Sequence, residues 1–142
     1  MHILITGGSG FLGARLARSL LAQTTLALNG TPPQPVTTIT LTDRAAPPDD
    51  LARDPRIRFA GGDLNDLLAA GQLPAKDTAV VFHLAAAVSG ECEADFDLGL
   101  RSNLDATRAL SFAGLGHPAT FRVCQLAGRL WQPTRPRFAS RD

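Results

Sequence analysis

"TGGSGFLG", residues 6–13, follows directly on the apolar run Ile3-Leu4-Ile5, and four of its eight residues are glycine. Two spacings overlap in it. Gly8, Gly10 and Gly13 give G-x-G-x-x-G, while Gly7, Gly10 and Gly13 give T-G-x-x-G-x-x-G. His2 to Thr6 reads as a short buried strand. Phe11, Leu12, Leu16, Leu20 and Leu21 recur at helical spacing, so a helix is expected from Gly10 to Gln23 with these residues on its apolar face. A glycine turn between a first strand and a helix suits a diphosphate. Glycine takes the positive backbone dihedrals of a tight turn without a Cβ penalty. The helix start then offers unpaired N–H groups and a partial positive charge. Gly13 is expected to let the helix pack closely on the strand.

A dinucleotide site needs a second part, an acidic residue at the tip of the next strand to accept from the adenosine ribose hydroxyls. Thr37 to Thr42 alternates β-branched and apolar residues as a strand does, and Asp43 follows it in "TLTDR". Asp43 stands 30 residues beyond Gly13, against the usual ~20, and the loop Asn29–Pro35 (NGTPPQP) accounts for the excess. A carboxylate there repels a 2′-phosphate, which favours NAD over NADP. Arg44, next in sequence, is a group that could serve such a phosphate. The plainer reading of Asp43 is a solvated strand-end aspartate.

The rest of the chain keeps alternating. Ala45–Pro55 reads as loop with a brief helical turn, Ile57–Ala60 as a strand and Leu64–Ala70 as a helix. Ala79–Leu84 (AVVFHL) is the continuous apolar run of a central parallel strand. Asp95–Gly114 is expected to be a helix burying Leu98, Leu104, Ala109 and Leu110, and Ala119–Val123 a further strand. Such alternation predicts an α/β fold: a Rossmann-like, doubly wound parallel sheet with right-handed crossovers over residues 1–123. Beyond Val123 the period is lost, and residues 124–142 are expected to be an irregular tail carrying Arg129, Arg135, Arg137 and Arg141.

Bulk properties narrow the function classes. A formal net charge of +1 gives no electrostatic case for nucleic acid or an anionic membrane. Cys92 and Cys124 are far apart and in no metal-ligand spacing, which suits a reducing cytosol and predicts no structural metal. The glycines begin at Gly7, with no charged region and long apolar stretch before them, so no secretory leader or membrane span is expected at the amino end. Glu91, Glu93, Asp95 and Asp97 alternate; a solvated loop and helix start explains them better than a metal site.

Five stretches, "ITGGSGFLG", "TLTDR", "GGDLND", "VVFHLAAAVSG" and "NLDATRAL", occur in the order seen in extended short-chain dehydrogenases/reductases, the NAD-dependent epimerase/dehydratase family. The segment from His83 to Leu110 most resembles the sugar-acid dehydrogenases of that family, the D-erythronate dehydrogenase type. The resemblance implies NAD as cofactor, cytoplasmic location, a homo-oligomeric parent enzyme and a small sugar acid as its substrate. By position it places Gly7, Gly10, Phe11, Leu12 and Gly13 on the diphosphate and Asp43 on the ribose. Asp63 and Leu64 would lie against the adenine, with Asp63 alternatively a helix N-cap. Leu84, Ala85 and Ala86 would pass under the cofactor, and Ser89 would stand near nicotinamide and substrate. Asn103 matches the family's N-x-x-G-T asparagine, which bonds to backbone; Ala106 replaces the family's glycine. His83 reads as a packed core histidine.

The family's chemistry needs a serine, a tyrosine and a lysine. The tyrosine takes the proton of a substrate hydroxyl, and the lysine lowers its pKa. The chain contains no tyrosine, and its one lysine, Lys76, falls in a loop ahead of the fourth strand. The expected reading is therefore an NAD-binding portion without a catalytic set of its own. Codons for Val123–Gln132 (VCQLAGRLWQ), read one nucleotide later, permit the family's Phe-Ala-Ser-Ser-Leu-Ala-Val-Phe-Gly segment. This implies a reading frame shifted near Phe121; a natural divergent tail is the alternative. Two rival functions stay open: part of a nucleotide-sugar epimerase or dehydratase, and a non-catalytic dinucleotide-binding module.

Overall fold

Residues 2–6, His-Ile-Leu-Ile-Thr, are buried without exception, because the strand they form is covered by helices on both faces and flanked by strands on both edges. The computed structural model describes residues 1–28, 31–87 and 89–115. This first strand, β1 (His2–Thr6), leads through the glycine turn into α1 (Phe11–Gln23). A two-residue hairpin follows, β2 (Thr25–Leu26) against β3 (Gln34–Pro35). Then come β4 (Thr38–Asp43), α2 (Asp49–Ala52), β5 (Ile57–Gly61), α3 (Leu64–Ala69) and β6 (Thr78–His83). The described chain closes with α4 (Ser89–Ala94), α5 (Phe96–Gly99), a π-helical turn at Leu100–Asp105, and α6 (Ala106–Leu115).

The main sheet is parallel with the order β5-β4-β1-β6. Counted along its own strands, that is third, second, first, fourth. The chain winds outward from β1 and then returns to its other side, so the direction of winding reverses between β1 and β6. Alternation along β1 divides the core. Ile3 and Ile5 pack with Ala14, Ala17 and Leu20 of α1, with Ile39 and Leu41 of β4, and with Leu51 and Val80. Leu4 faces the opposite way, onto Leu67, Leu73, Val81 and Leu110. Helices thus cover both faces, as the doubly wound reading requires. Each large aliphatic side chain fully removed from water contributes about 1.5–3 kcal/mol, so β1 is the element that the two half-cores share.

Several sequence expectations are corrected. The stretch Asn29–Pro35 is not all loop, because Gln34–Pro35 pairs with Thr25–Leu26. On α1 the buried face consists of Gly13, Ala14, Ala17 and Leu20, while Phe11 and Leu12 are exposed (80% and 46%). Small residues face the sheet because the helix approaches it closely; Phe11, in the first turn beside the glycine loop, is not covered by the described residues. The helix expected from Asp95 is preceded by α4, and Asp95 instead caps α5, its carboxylate accepting from Leu98 N–H at 3.0 Å. Leu104 is 57% exposed rather than buried. The π turn is wider than an α turn, so the face that carries Leu98 passes on to Ala106 and Leu110 and leaves Leu104 outside. The strand expected at Ala119–Val123 and the tail 124–142 lie outside the described residues.

Candidate functional site

The ends of β1, β4 and β6 open together onto a cleft of about 400 Å³. Its walls include Gly7 and Gly10 of the turn, Asp43 at the end of β4 with Arg44 beyond it, Leu64 at the start of α3 with its N-cap Asp63, and Leu84–Ala87 past β6. It lies at the carboxyl ends of parallel strands where the winding direction reverses, the usual place for a ligand in an open α/β sheet.

The glycines of the turn have distinct reasons. Gly7 sits at φ +68°, and a Cβ there would come within 2.8 Å of the Ala85 nitrogen, so this residue lets the exit of β6 pass. A Cβ at Gly13 would run into the Gly7 carbonyl and lie 2.7 Å from the Gly8 Cα, which fixes how near α1 comes to the turn. Gly10 differs. It is the N-cap of α1 in an ordinary extended conformation, and a Cβ there would meet one atom, the Gly7 oxygen, at 3.3 Å. The fold asks little of Gly10; what its missing side chain preserves is the open face of the cleft. Phe11 and Leu12 form the first turn of α1, whose N–H groups have no intrahelical acceptor.

Asp43 joins the two halves of the cradle. One carboxylate oxygen accepts from Ser9 N–H in the turn at 3.1 Å, and the other from Arg44 N–H at 2.7 Å. Gly8 N–H also donates to the Thr42 carbonyl at 3.2 Å. Two buried hydroxyls beside this junction, Ser9 Oγ and Thr42 Oγ1, have no hydrogen-bond partner among the described residues. A cradle kept clear at Gly10, a helix start, a carboxylate at the neighbouring strand tip and spare buried hydroxyls fit a dinucleotide.

Asp63 performs the capping role weighed in the sequence. It accepts from Asn65 N–H at 2.9 Å as N-cap of α3, and it also holds Arg44, with Nη2 donating at 2.6 Å. The Arg44 hydrogen bond pulls the Asp63 carboxyl below the usual range, against a smaller opposing effect of burial. The same bond raises the Arg44 guanidinium.

Beneath the cleft runs a polar chain that the sequence did not suggest. The Thr6 hydroxyl oxygen accepts from Leu84 and Ala85 N–H, each at 3.1 Å, and stands 2.6 Å from His83 Nδ1. His83 Nε2 lies 3.0 Å from Thr107 Oγ1, which donates its own proton to the Asn103 carbonyl at 2.7 Å. Thr107 must then accept from His83, which assigns the proton to Nε2 and makes Nδ1 the acceptor of the Thr6 hydroxyl. His83 is fully buried, and burial pushes its pKa below the ordinary histidine value. The Asn103 side chain closes the chain. Its Oδ1 accepts from Ala87 N–H at 2.8 Å and its Nδ2 donates to the Ala87 carbonyl at 3.1 Å. Leu84, Ala85 and Ala86 are thus set by hydrogen bonds on either side. Ala106, in the family's glycine position, is buried and lines the cleft. The Ser89 side chain lies outside the described residues.

Lys76 lies in the turn before β6, at the end of the strand away from the cleft. Among the described residues, no group of histidine, cysteine and carboxylate side chains could hold a metal, and no helix is long and apolar enough to cross a membrane.

Sheet order, glycine turn and strand-tip carboxylate define a Rossmann-like fold with the cleft of that class. The chain belongs to the NAD dependent epimerase/dehydratase family, which matches it over residues 3–116. It is 52% identical over 119 residues to D-erythronate dehydrogenase of Cupriavidus necator, covering 82% of this chain and 36% of that protein. It is 39% identical over 108 residues to D-erythronate dehydrogenase of Haemophilus influenzae, covering 76% and 31%. Among solved structures it is similar to DesIV, a dTDP-glucose 4,6-dehydratase from Streptomyces venezuelae with NAD bound (TM-score 0.66, 26% identity, 87% of this chain and 38% of that one). The chain spans about a third of the length of the curated relatives it matches.

Proposed function

We propose that this chain binds NAD in the cleft at the ends of β1, β4 and β6. Amides of residues 7–13 hold the diphosphate, with Gly7, Gly10 and Gly13 admitting it and Phe11 and Leu12 supplying N–H groups at the helix start. Asp43 accepts from the adenosine ribose. Asp63 and Leu64 border the adenine, and Leu84, Ala85 and Ala86 underlie the nicotinamide half. Asn103 fixes the loop through Ala87, and Ser89 serves the substrate side. Asp43 at the ribose disfavours NADP. The observation that carries this reading is the bond from Ser9 N–H to Asp43, which brings diphosphate cradle and ribose acceptor together as one unit.

The substrate class we infer is a small sugar acid, whose secondary hydroxyl is oxidised. NAD, when bound, supplies the hydride acceptor. The 52% identity to a D-erythronate dehydrogenase supports this over a nucleotide sugar. With no tyrosine in the sequence and its lysine across the sheet, the chain binds the dinucleotide without performing the oxidation. Residues 1–123 constitute the binding domain, in a cytoplasmic, homo-oligomeric enzyme type.

Calorimetric titration of the chain with NAD tests the binding. A saturable signal at up to millimolar NAD is expected, and its absence removes the reading. An assay with D-erythronate and NAD then checks the second part: no rise in reduced nicotinamide absorbance is expected.

A further inference from the structure

Among the described residues, the Arg44 guanidinium is the one cation on the cleft's wall. It is one residue from the carboxylate that faces the ribose, which is where a counter-charge for a 2′-phosphate would have to stand. Its side chain is committed elsewhere. Both its ends are held: the backbone N–H by Asp43 at 2.7 Å, and Nη2 by Asp63 at 2.6 Å. The guanidinium therefore lies across the rim from the tip of β4 to the start of α3. Asp63 is itself fixed, because its other oxygen caps α3 through Asn65 N–H.

Building on the NAD-binding reading above, we propose that the Arg44–Asp63 ion pair is the selector between the two dinucleotides. It holds Arg44 away from the ribose edge, so that NADP meets the Asp43 carboxylate without a compensating cation. NAD leaves the pair undisturbed. NADP could recruit Arg44 only by breaking its bond to Asp63. Asp63 is then a specificity-determining residue that acts through Arg44. The pair is partly solvent-exposed, and such pairs have modest strength, so its release is worth about a twofold to fivefold change in the affinity ratio.

Asp63→Asn tests this directly. Asparagine caps a helix as well as aspartate, so α3 keeps its N-cap while the charge that holds Arg44 is lost. NAD and NADP are titrated into wild type, Asp63→Asn, Arg44→Ala and the double variant. The ratio of the two affinities is the readout, because any lost adenine contact affects both dinucleotides alike. Asp63→Asn is expected to shift the ratio towards NADP by about twofold to fivefold, Arg44→Ala to leave it within about 1.5-fold, and the double variant to return it to the wild-type value. A shift that survives in the double variant would assign the effect to the Asp63 charge itself and overturn the proposal, as would an unchanged ratio in Asp63→Asn. Asp63→Ser, also an N-capping residue without charge, replaces Asp63→Asn if that variant fails to fold. Should neither dinucleotide bind wild type, the NAD reading itself falls; binding with an unmoved ratio sinks only the selector.

Discussion

The Thr6 hydroxyl and the His83 ring, 77 residues apart in sequence, meet at 2.6 Å across the seam between β1 and β6. They form the joint between the first and last strands of the described sheet. Thr6 pairs with His83 in the strand register as well, so backbone and side-chain bonds cooperate at the floor of the cleft.

Replacing Thr6 by valine keeps shape and removes the hydroxyl. The Ala85 N–H and His83 Nδ1 would then lose their partner, while Leu84 N–H keeps its bond to the Thr6 carbonyl at 3.1 Å. Each unpaired buried group costs about 1–3 kcal/mol, and partial relaxation brings the expected loss to about 2–4 kcal/mol. Urea unfolding measures it, and Thr6→Ser should recover most of the difference.

His83 gives the fold an acid sensitivity above the carboxylate range. Its folded-state pKa is depressed by burial, while the unfolded chain titrates near ~6.5. Below that value the unfolded state takes up a proton that the native state refuses. The contribution is fully present above about pH 6.5 and is lost as pH falls towards the lower folded value. Unfolding midpoints should therefore decline between pH 7 and 5. His83→Gln, which keeps a donor and an acceptor without a titrating ring, should flatten that decline.

Two glycines of the turn should separate stability from binding. Gly10→Ala meets only the Gly7 oxygen, at 3.3 Å, and is expected to change stability by less than about 1 kcal/mol. It should weaken NAD by about tenfold or more, since the added methyl faces the diphosphate's approach. Gly13→Ala collides with the Gly7 carbonyl and should cost about 3 kcal/mol or more. Thermal melts paired with NAD titrations read both effects; equal losses at the two positions would contradict the division of roles.

Asn103→Ala removes both of its bonds to Ala87 and leaves the Ala87 carbonyl the longer one from Cys92 Sγ, at 3.6 Å. A cost of about 1–2 kcal/mol is expected, concentrated in the loop after β6. Amide exchange at Ala87 should accelerate by about tenfold, one decade for each 1.4 kcal/mol, with little change on the β4 side.

Much of this architecture is legible in the sequence, for reasons that can be assigned. Ile3-Leu4-Ile5 and Ala79–Leu84 are continuous apolar runs because their strands are covered on both faces. The glycines at 7, 10 and 13 stand out because a close turn tolerates nothing else there or because the cleft must stay clear. Asp43 is legible as the residue that ends the second sheet strand. What escapes is whatever depends on partners distant in sequence. Of the Thr6–His83–Thr107–Asn103 chain, His83 and Asn103 stand out in the sequence, but nothing there links them to each other or to the two threonines. Asp63 and Arg44 both stand out in the sequence, but nothing there pairs them. Phe11 and Leu12 fit a helical stripe and are nonetheless exposed, because periodicity fixes a face without saying where the sheet ends. Leu104 is misplaced for another reason: a 3.6-residue period is assumed, and the backbone departs from it there.

That departure bears on which edits the gene can accept. Leu100–Asp105 holds one residue more than a regular spiral of the same span would need. Dropping Leu104, whose side chain is mostly in solvent, would tighten the coil to ordinary pitch while the rods before and after it keep their rotational phase. Removing a single codon one turn later would swing Leu110 out from under β1 and β6. Length variation in this helix should therefore be tolerated at the wide turn and rejected just beyond it.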